Sequence, residues 1–127
     1  MNAVDLDPAA KIIIADDAPA MLIGLRRALL QLGFLDVLPT ENGKEAWTAL
    51  ETNLDAHLVI SDWNMPEMDG LELLARVRAD ARFAKLPFIL ISADAGAVRD
   101  KAERLGVSLV LAKPFDAAAL QRAIASL

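Results

Sequence analysis

The run Leu58-Val59-Ile60-Ser61-Asp62-Trp63-Asn64-Met65-Pro66 constrains this chain more than any other. Apolar, largely β-branched residues stop at a carboxylate and lead into a turn containing proline. That is the pattern of a buried strand delivering Asp62 to the edge of a sheet. Ile12-Ile13-Ile14-Ala15 repeats the pattern and ends in two carboxylates, Asp16 and Asp17. If the two strands are parallel neighbours, three acidic side chains converge at one end of the sheet. They repel one another unless a cation sits among them. The first expectation is a metal-dependent acidic pocket with Asp62 as its reactive member.

The rest of the chain supplies the frame. Residues 1–10 lack periodicity and read as a tail, and 11–127 read as one domain. Strands are expected at 11–15, 34–38, 57–61, 87–91 and 107–112. Helical spacing follows each one: Leu22, Leu25 and Leu29 after Pro19, then Ala46, Trp47 and Leu50 after Asn42. Leu73, Leu74 and Val77 follow Asp69-Gly70, Val98 and Ala102 precede Gly106, and Leu120 and Ile124 follow Asp116. Pro19 suits a first helical turn, Gly33 and Gly106 suit helix ends, and Asn42 and Asp116 suit caps. Five strands each followed by a helix require a parallel sheet covered on both faces, because every crossover returns the chain to the same end. Spacing does not set the strand order. The common five-stranded doubly wound α/β order is 2-1-3-4-5, the flavodoxin-like (βα)5 arrangement, with its ligand site outside the carboxyl ends of strands 1 and 3.

Composition closes off several function classes. The 127 residues carry a formal charge of −5, which disfavours nucleic-acid binding, since phosphate binders present net or clustered positive charge. There is no cysteine, hence no disulfide and no thiolate chemistry. No apolar run approaches the roughly 18 residues of a membrane span, and the first residues lack a signal pattern. A cytoplasmic protein is the expectation.

On the expected rim, Ser92 ends the fourth strand and Lys113, before Pro114, ends the fifth. With Asp16, Asp17 and Asp62 they come from four segments of chain. A pair of carboxylates suits a hard divalent ion, Mg²⁺ more than Ca²⁺, with waters left for a phosphate oxygen. A carboxylate can attack phosphorus and become an aspartyl phosphate. Phosphoryl transfer needs mainly positioning and charge neutralisation, which a metal and the Lys113 ammonium supply together, while the Ser92 hydroxyl can donate to another oxygen. Each residue alone has a plainer reading: Asp17 as a cap ahead of Pro19, Ser92 as another cap, Lys113 as a solvated lysine. Five such residues on one rim make a site.

Asp16-Asp17, the run Ser61-Asp62-Trp63-Asn64-Met65-Pro66-Glu67-Met68-Asp69-Gly70, Ser92-Ala93 and Lys113-Pro114-Phe115 resemble the receiver domains of two-component response regulators, in particular the CheY-like single-domain chemotaxis regulators. The resemblance extends from about Lys11 to Leu127, making 11–127 the receiver domain. It implies that Asp62 accepts a phosphoryl group from a histidine kinase or a histidine phosphotransfer protein. Asp17, Asp62 and the backbone carbonyl of Asn64 would hold Mg²⁺, with Asp16 acting largely through water. Ser92 would move towards the phosphoryl group and Lys113 would pair with it. The output would be a reshaped face of fourth helix, fifth strand and fifth helix, read by a downstream protein. Such a domain is not an enzyme on other substrates; it catalyses only its own Mg²⁺-dependent phosphorylation and dephosphorylation.

One position departs from the family pattern. Receivers usually carry Tyr or Phe three residues before the lysine, and this chain has Val110. A valine has no ring to swing, so the relay from Ser92 to an aromatic is missing or altered and an unmodified motor-binding output is not expected. The phosphorylation chemistry should survive. The last helix runs to Leu127, so a single-domain switch or phosphate shuttle is expected. The alternatives are a receiver portion of a larger protein regulating an attached enzyme or kinase, a phosphate sink, and a small Asp-nucleophile phosphatase, for which a cap domain and second acid are lacking. His57, the sole histidine, opens a strand at the end away from the acids and is not expected to carry phosphate.

Overall fold

A strand with neighbours on both sides and helices on both faces has no route to water, and the burial of this sheet follows that rule. In the computed structural model, which describes residues 7–127, the chain runs β1 (Lys11–Ala15), α1 (Pro19–Gln31), β2 (Asp36–Thr40), α2 (Gly43–Thr52), β3 (Leu58–Asp62), α3 (Gly70–Ala79), β4 (Phe88–Ser92), α4 (Ala95–Arg104), β5 (Leu109–Ala112) and α5 (Ala117–Ala125). All five strands are parallel in the order β2-β1-β3-β4-β5, the doubly wound arrangement. Every residue of β3 and β4 is buried, and in β1 only Lys11 is not. The edge strands β2 and β5 mix buried and open positions.

The two-residue period of a strand divides the core between two layers. Ile12, Ile14, Leu58, Ile60, Ile89 and Ile91 pack against α1 and α5. Ile13, Val59, Phe88, Leu90 and Val110 face α2, α3 and α4. Helix starts are set by carboxylates and amides: Asn42, Asp69, Asp94 and Asp116 each accept a backbone N–H three residues on, and Asp69 and Glu72 complete a reciprocal capping box. α1 differs. Its cap is Ala18, with no side-chain acceptor, so Asp17 does not serve as a cap.

The strand boundaries move by one or two residues from the sequence expectation, for identifiable reasons. Gly33, at φ 98°, ends α1 by accepting the left-handed conformation, and Phe34 N–H donates back to the Leu29 carbonyl at 3.0 Å. That cap consumes Phe34, and β2 begins at Asp36 and runs through Pro39, which an edge strand tolerates. Gly106, at φ 89°, ends α4 in the same way, with Val107 N–H on the Ala102 carbonyl at 3.0 Å, so β5 begins at Leu109 rather than Val107. Of the expected tail, residues 1–6 lie outside the described residues. Residues 7–10 form a turn that buries Ala10 and gives the Pro8 carbonyl to Leu35 N–H at 3.0 Å.

Arg78 ties the far ends of the second layer together. Its Nε donates to the Gly106 carbonyl at 2.8 Å and its Nη1 to the Phe83 carbonyl at 3.1 Å. Replacing Arg78 with Leu keeps much of the stem's bulk and removes both bonds, of which only the one to Phe83 is partly buried. Urea unfolding of Arg78→Leu should show a loss of about 1–2 kcal/mol with an unchanged m value.

Candidate active site

The acidic pocket is a consequence of strand register. Ala15 pairs with Ser61 across β1 and β3, so the residues that follow, Asp16 and Asp62, leave the sheet side by side. Asp16, Asp17 and Asp62 each present a carboxylate oxygen, all within 4.8 Å of one another. Asp16 and Asp62 are buried, 4% and 8% exposed, while Asp17 is open to solvent. Lys113 reaches into the cluster, with Nζ 3.1 Å from Asp62 Oδ1 and 3.8 Å from Asp16 Oδ2. Its backbone is held to the neighbouring strand by Lys113 N–H donating to the Ser92 carbonyl at 2.9 Å.

Charge is crowded here. Burial, above all, raises the Asp16 carboxyl above its ordinary range, and the charges of Asp62 and Asp17 add to the rise. The Ala18 N–H, donating to Asp16 Oδ1 at 2.9 Å, and the Lys113 ammonium oppose it. One ammonium faces three carboxylates, a deficit that a hard divalent cation with oxygen ligands is suited to fill.

The remaining expected residues fall on or beside the same rim. Ser92 is buried at the end of β4 and its Oγ accepts Asp94 N–H at 2.9 Å. Asn64 is exposed in the turn after β3, and among the described residues no hydrogen bond engages its carbonyl. Val110 lies one layer down, paired with Leu90 and packed into the core with Val98 and Ala102 at 7% exposure. It presents almost nothing to solvent. His57 sits at the opposite end of the sheet, where its Nδ1 accepts Lys11 N–H at 3.0 Å, as expected of a residue outside the site.

Sequence reasoning passed over two residues that shape the turn after Asp62. Glu67 has φ 67° and Met68 N–H donates to the Pro66 carbonyl at 2.7 Å, a γ-turn in a backbone region that side chains other than glycine rarely enter. Gly43 donates its N–H to the Met68 carbonyl at 2.9 Å, and a Cβ there would collide with that carbonyl. Asn42-Gly43 at a helix start was the available signal for the second; nothing in the sequence marks the first. Gly70, noted only as a helix opener, approaches the Asp62 carbonyl so closely that a Cβ would overlap it.

The chain matches the response regulator receiver domain family over residues 12–125. Chemotaxis protein CheY1 of Helicobacter pylori is 42% identical over 110 residues, which cover 83% of this chain and 86% of that protein. The chemotaxis protein CheY homolog of Campylobacter jejuni is 40% identical over 110 residues, covering 83% of this chain and 82% of its own. Among solved structures, the chemotaxis response regulator CheY4 of Vibrio cholerae aligns with a TM-score of 0.82 at 25% identity, over 91% of this chain and 98% of that one. The receiver domain of sensor histidine kinase PA1611 from Pseudomonas aeruginosa, with a magnesium ion coordinated in its active site cleft, aligns at 0.78 and 25% identity, over 91% and 94% of the two chains.

The raised Asp16 carboxyl has a stability consequence. A carboxylate whose folded pKa lies above its unfolded value favours folding only when protonated, so ionised Asp16 opposes folding at neutral pH. Without divalent cations, Asp16→Asn should melt a few degrees higher than the parent chain at pH 7.5. The gain should fade as pH falls through the raised Asp16 value towards the ordinary aspartate range, as followed by thermal denaturation.

Proposed function

We propose, since the chain belongs to the response regulator receiver family, that Asp62 is its phosphoacceptor and that the chain works as a phosphorylation-controlled binding switch. The observation that carries this reading is the contact of Asp62 with the Lys113 ammonium at 3.1 Å, inside a ring of carboxylates at the strand 1–strand 3 switch point. An Asp62 oxygen attacks the phosphorus of a phosphohistidine on a histidine kinase or histidine phosphotransfer protein; the O–P bond forms as the P–N bond to the imidazole breaks. Asp17, Asp62 and the Asn64 carbonyl would hold Mg²⁺, with Asp16 acting largely through water, and the ion would supply charge neutralisation at the phosphoryl oxygens. Lys113, already against Asp62, pairs with one of those oxygens. Ser92, whose Oγ now accepts Asp94 N–H, donates its hydroxyl hydrogen to another. Hydrolysis of the aspartyl phosphate returns the chain to its starting state, so the only catalysis is on itself.

The downstream reader is a protein at the face of α4, β5 and α5, and the pathway is chemotaxis, as in the chemotaxis proteins of Helicobacter pylori and Campylobacter jejuni. Val110 sharpens what that reader detects. Being buried with Val98 and Ala102, it couples β5 to the packing of α4 rather than to an exposed ring. The message is then a shift of α4 itself, whose first turn hangs on Asp94, two residues from Ser92. The reading fits an excised receiver as well as a free one, since either uses the same rim.

Incubation with Mg²⁺ and acetyl phosphate should add one phosphoryl group to the intact mass and change the fluorescence of Trp63, which adjoins Asp62. Asp62→Asn should abolish both responses, and a mass gain that persists in that variant would refute the assignment. Repeated turnover of a generic phosphate ester would instead favour a phosphatase. Val110→Tyr should leave the phosphorylation yield within about twofold while weakening capture of the downstream partner at least about tenfold, a coupling of the order of 1–3 kcal/mol. Loss of phosphorylation in that variant would contradict the division between chemistry and output.

A further inference from the structure

The ligand-bearing ends of β1 and β3 are joined by a segment that holds no ligand of its own. Thr40, the last residue of the edge strand β2, is 6% exposed. Its hydroxyl donates to the Ile14 carbonyl at 2.7 Å, and its own carbonyl accepts Asp16 N–H at 3.1 Å. One residue thus grips β1 on both sides of Ala15, immediately before the acidic pair. Three positions later, Gly43 N–H holds the Met68 carbonyl at 2.9 Å in the turn that follows Asp62 and Asn64. Among the described residues β2 has no further strand on its outer side, so none of them beyond it takes over the grip.

We propose that Thr40 is a positioning residue for the cation site, and that the segment 40–43 is a bracket setting the distance between the Asp16–Asp17 end of β1 and the Asn64 turn. The proposal rests on the cation reading given above. The physical reason is the demand of Mg²⁺ for near-octahedral oxygens at short range, which displacements of about 0.5 Å in the ligands already disturb. A hydroxyl that adds a bond to the β1 main chain next to the pocket narrows that displacement without touching the ion. Val in place of Thr keeps the shape and removes the bond. Ser keeps the bond and removes the methyl.

The experiment compares Thr40→Val and Thr40→Ser in the full chain, with Mg²⁺ alone titrated by calorimetry and hydrogen exchange read at the Asp16 amide. Thr40→Val should bind Mg²⁺ about 3–10-fold more weakly, below the 10–100-fold typical of groups bonded directly to a ligand, and its Asp16 amide should exchange faster. Thr40→Ser should restore both to within about twofold of the parent. A purely structural threonine would lower the melting temperature of Thr40→Val and leave its Mg²⁺ affinity unchanged; that result, or a serine variant as impaired as the valine one, overturns the proposal. Should Thr40→Val not fold, Thr40→Ala is judged on the same criteria. A parent chain that binds no Mg²⁺ at millimolar concentration overturns the cation reading instead, and faster Asp16 exchange in Thr40→Val with serine rescue then still separates a working bracket from a failed one.

Discussion

Parallel strands can be joined only by crossovers that carry the chain back across a face of the sheet, and in this fold that constraint places all five strand ends on one rim. β1, β3 and β4 are apolar between their first residues and the rim except at the fully buried Ser61, whose hydroxyl donates to the Asp62 carbonyl. Asp16, Asp62 and Ser92 occupy the last strand positions or the next one along. The site is therefore a by-product of burying the sheet on both faces.

Crowding carboxylates on that rim works against stability, and the surroundings show how it is contained. Asp16 surrenders one oxygen to the Ala18 N–H and faces Lys113 with the other, yet burial still holds its carboxyl above the ordinary range. Lys113 stands between two acids and compensates only part of their charge. A site so arranged has an unmet demand for positive charge, which a divalent ion would answer. The same imbalance makes it responsive: adding or removing charge at Asp62 changes what Lys113 and Ser92 have to do.

The proposed response would have a short mechanical path. Ser92 Oγ accepts the N–H of Asp94, and Asp94 caps α4 through Ala97 N–H at 3.1 Å. On the next strand Val110 packs beneath that helix against Val98 and Ala102. Receivers that carry an aromatic at this position have a ring available to report the state of the site; here the space is filled by a small, branched, buried side chain. Under the proposed switch, helix α4 is the element whose shift would carry the signal.

Much of this was legible in the chain because strand ends write themselves into sequence. Apolar runs that stop at Asp16, Asp62, Ser92 and Lys113 name both the sheet and its rim, and helix punctuation by Gly33, Asn42, Gly106 and Asp116 follows from backbone chemistry within a few residues. What tertiary structure alone decided depends on register between distant segments. That Asp17 stays open while Asp16 is buried, that β2 begins at Asp36 and ends on Thr40, and that Gly43 must approach Met68 are properties of contacts across tens of residues. Local propensity is silent on them, because a hydrogen bond such as Thr40 to Ile14 exists only once β2 has settled against β1 in one frame. The sequence by itself determined which polar residues end the strands; the packed sheet decided how far apart they are held.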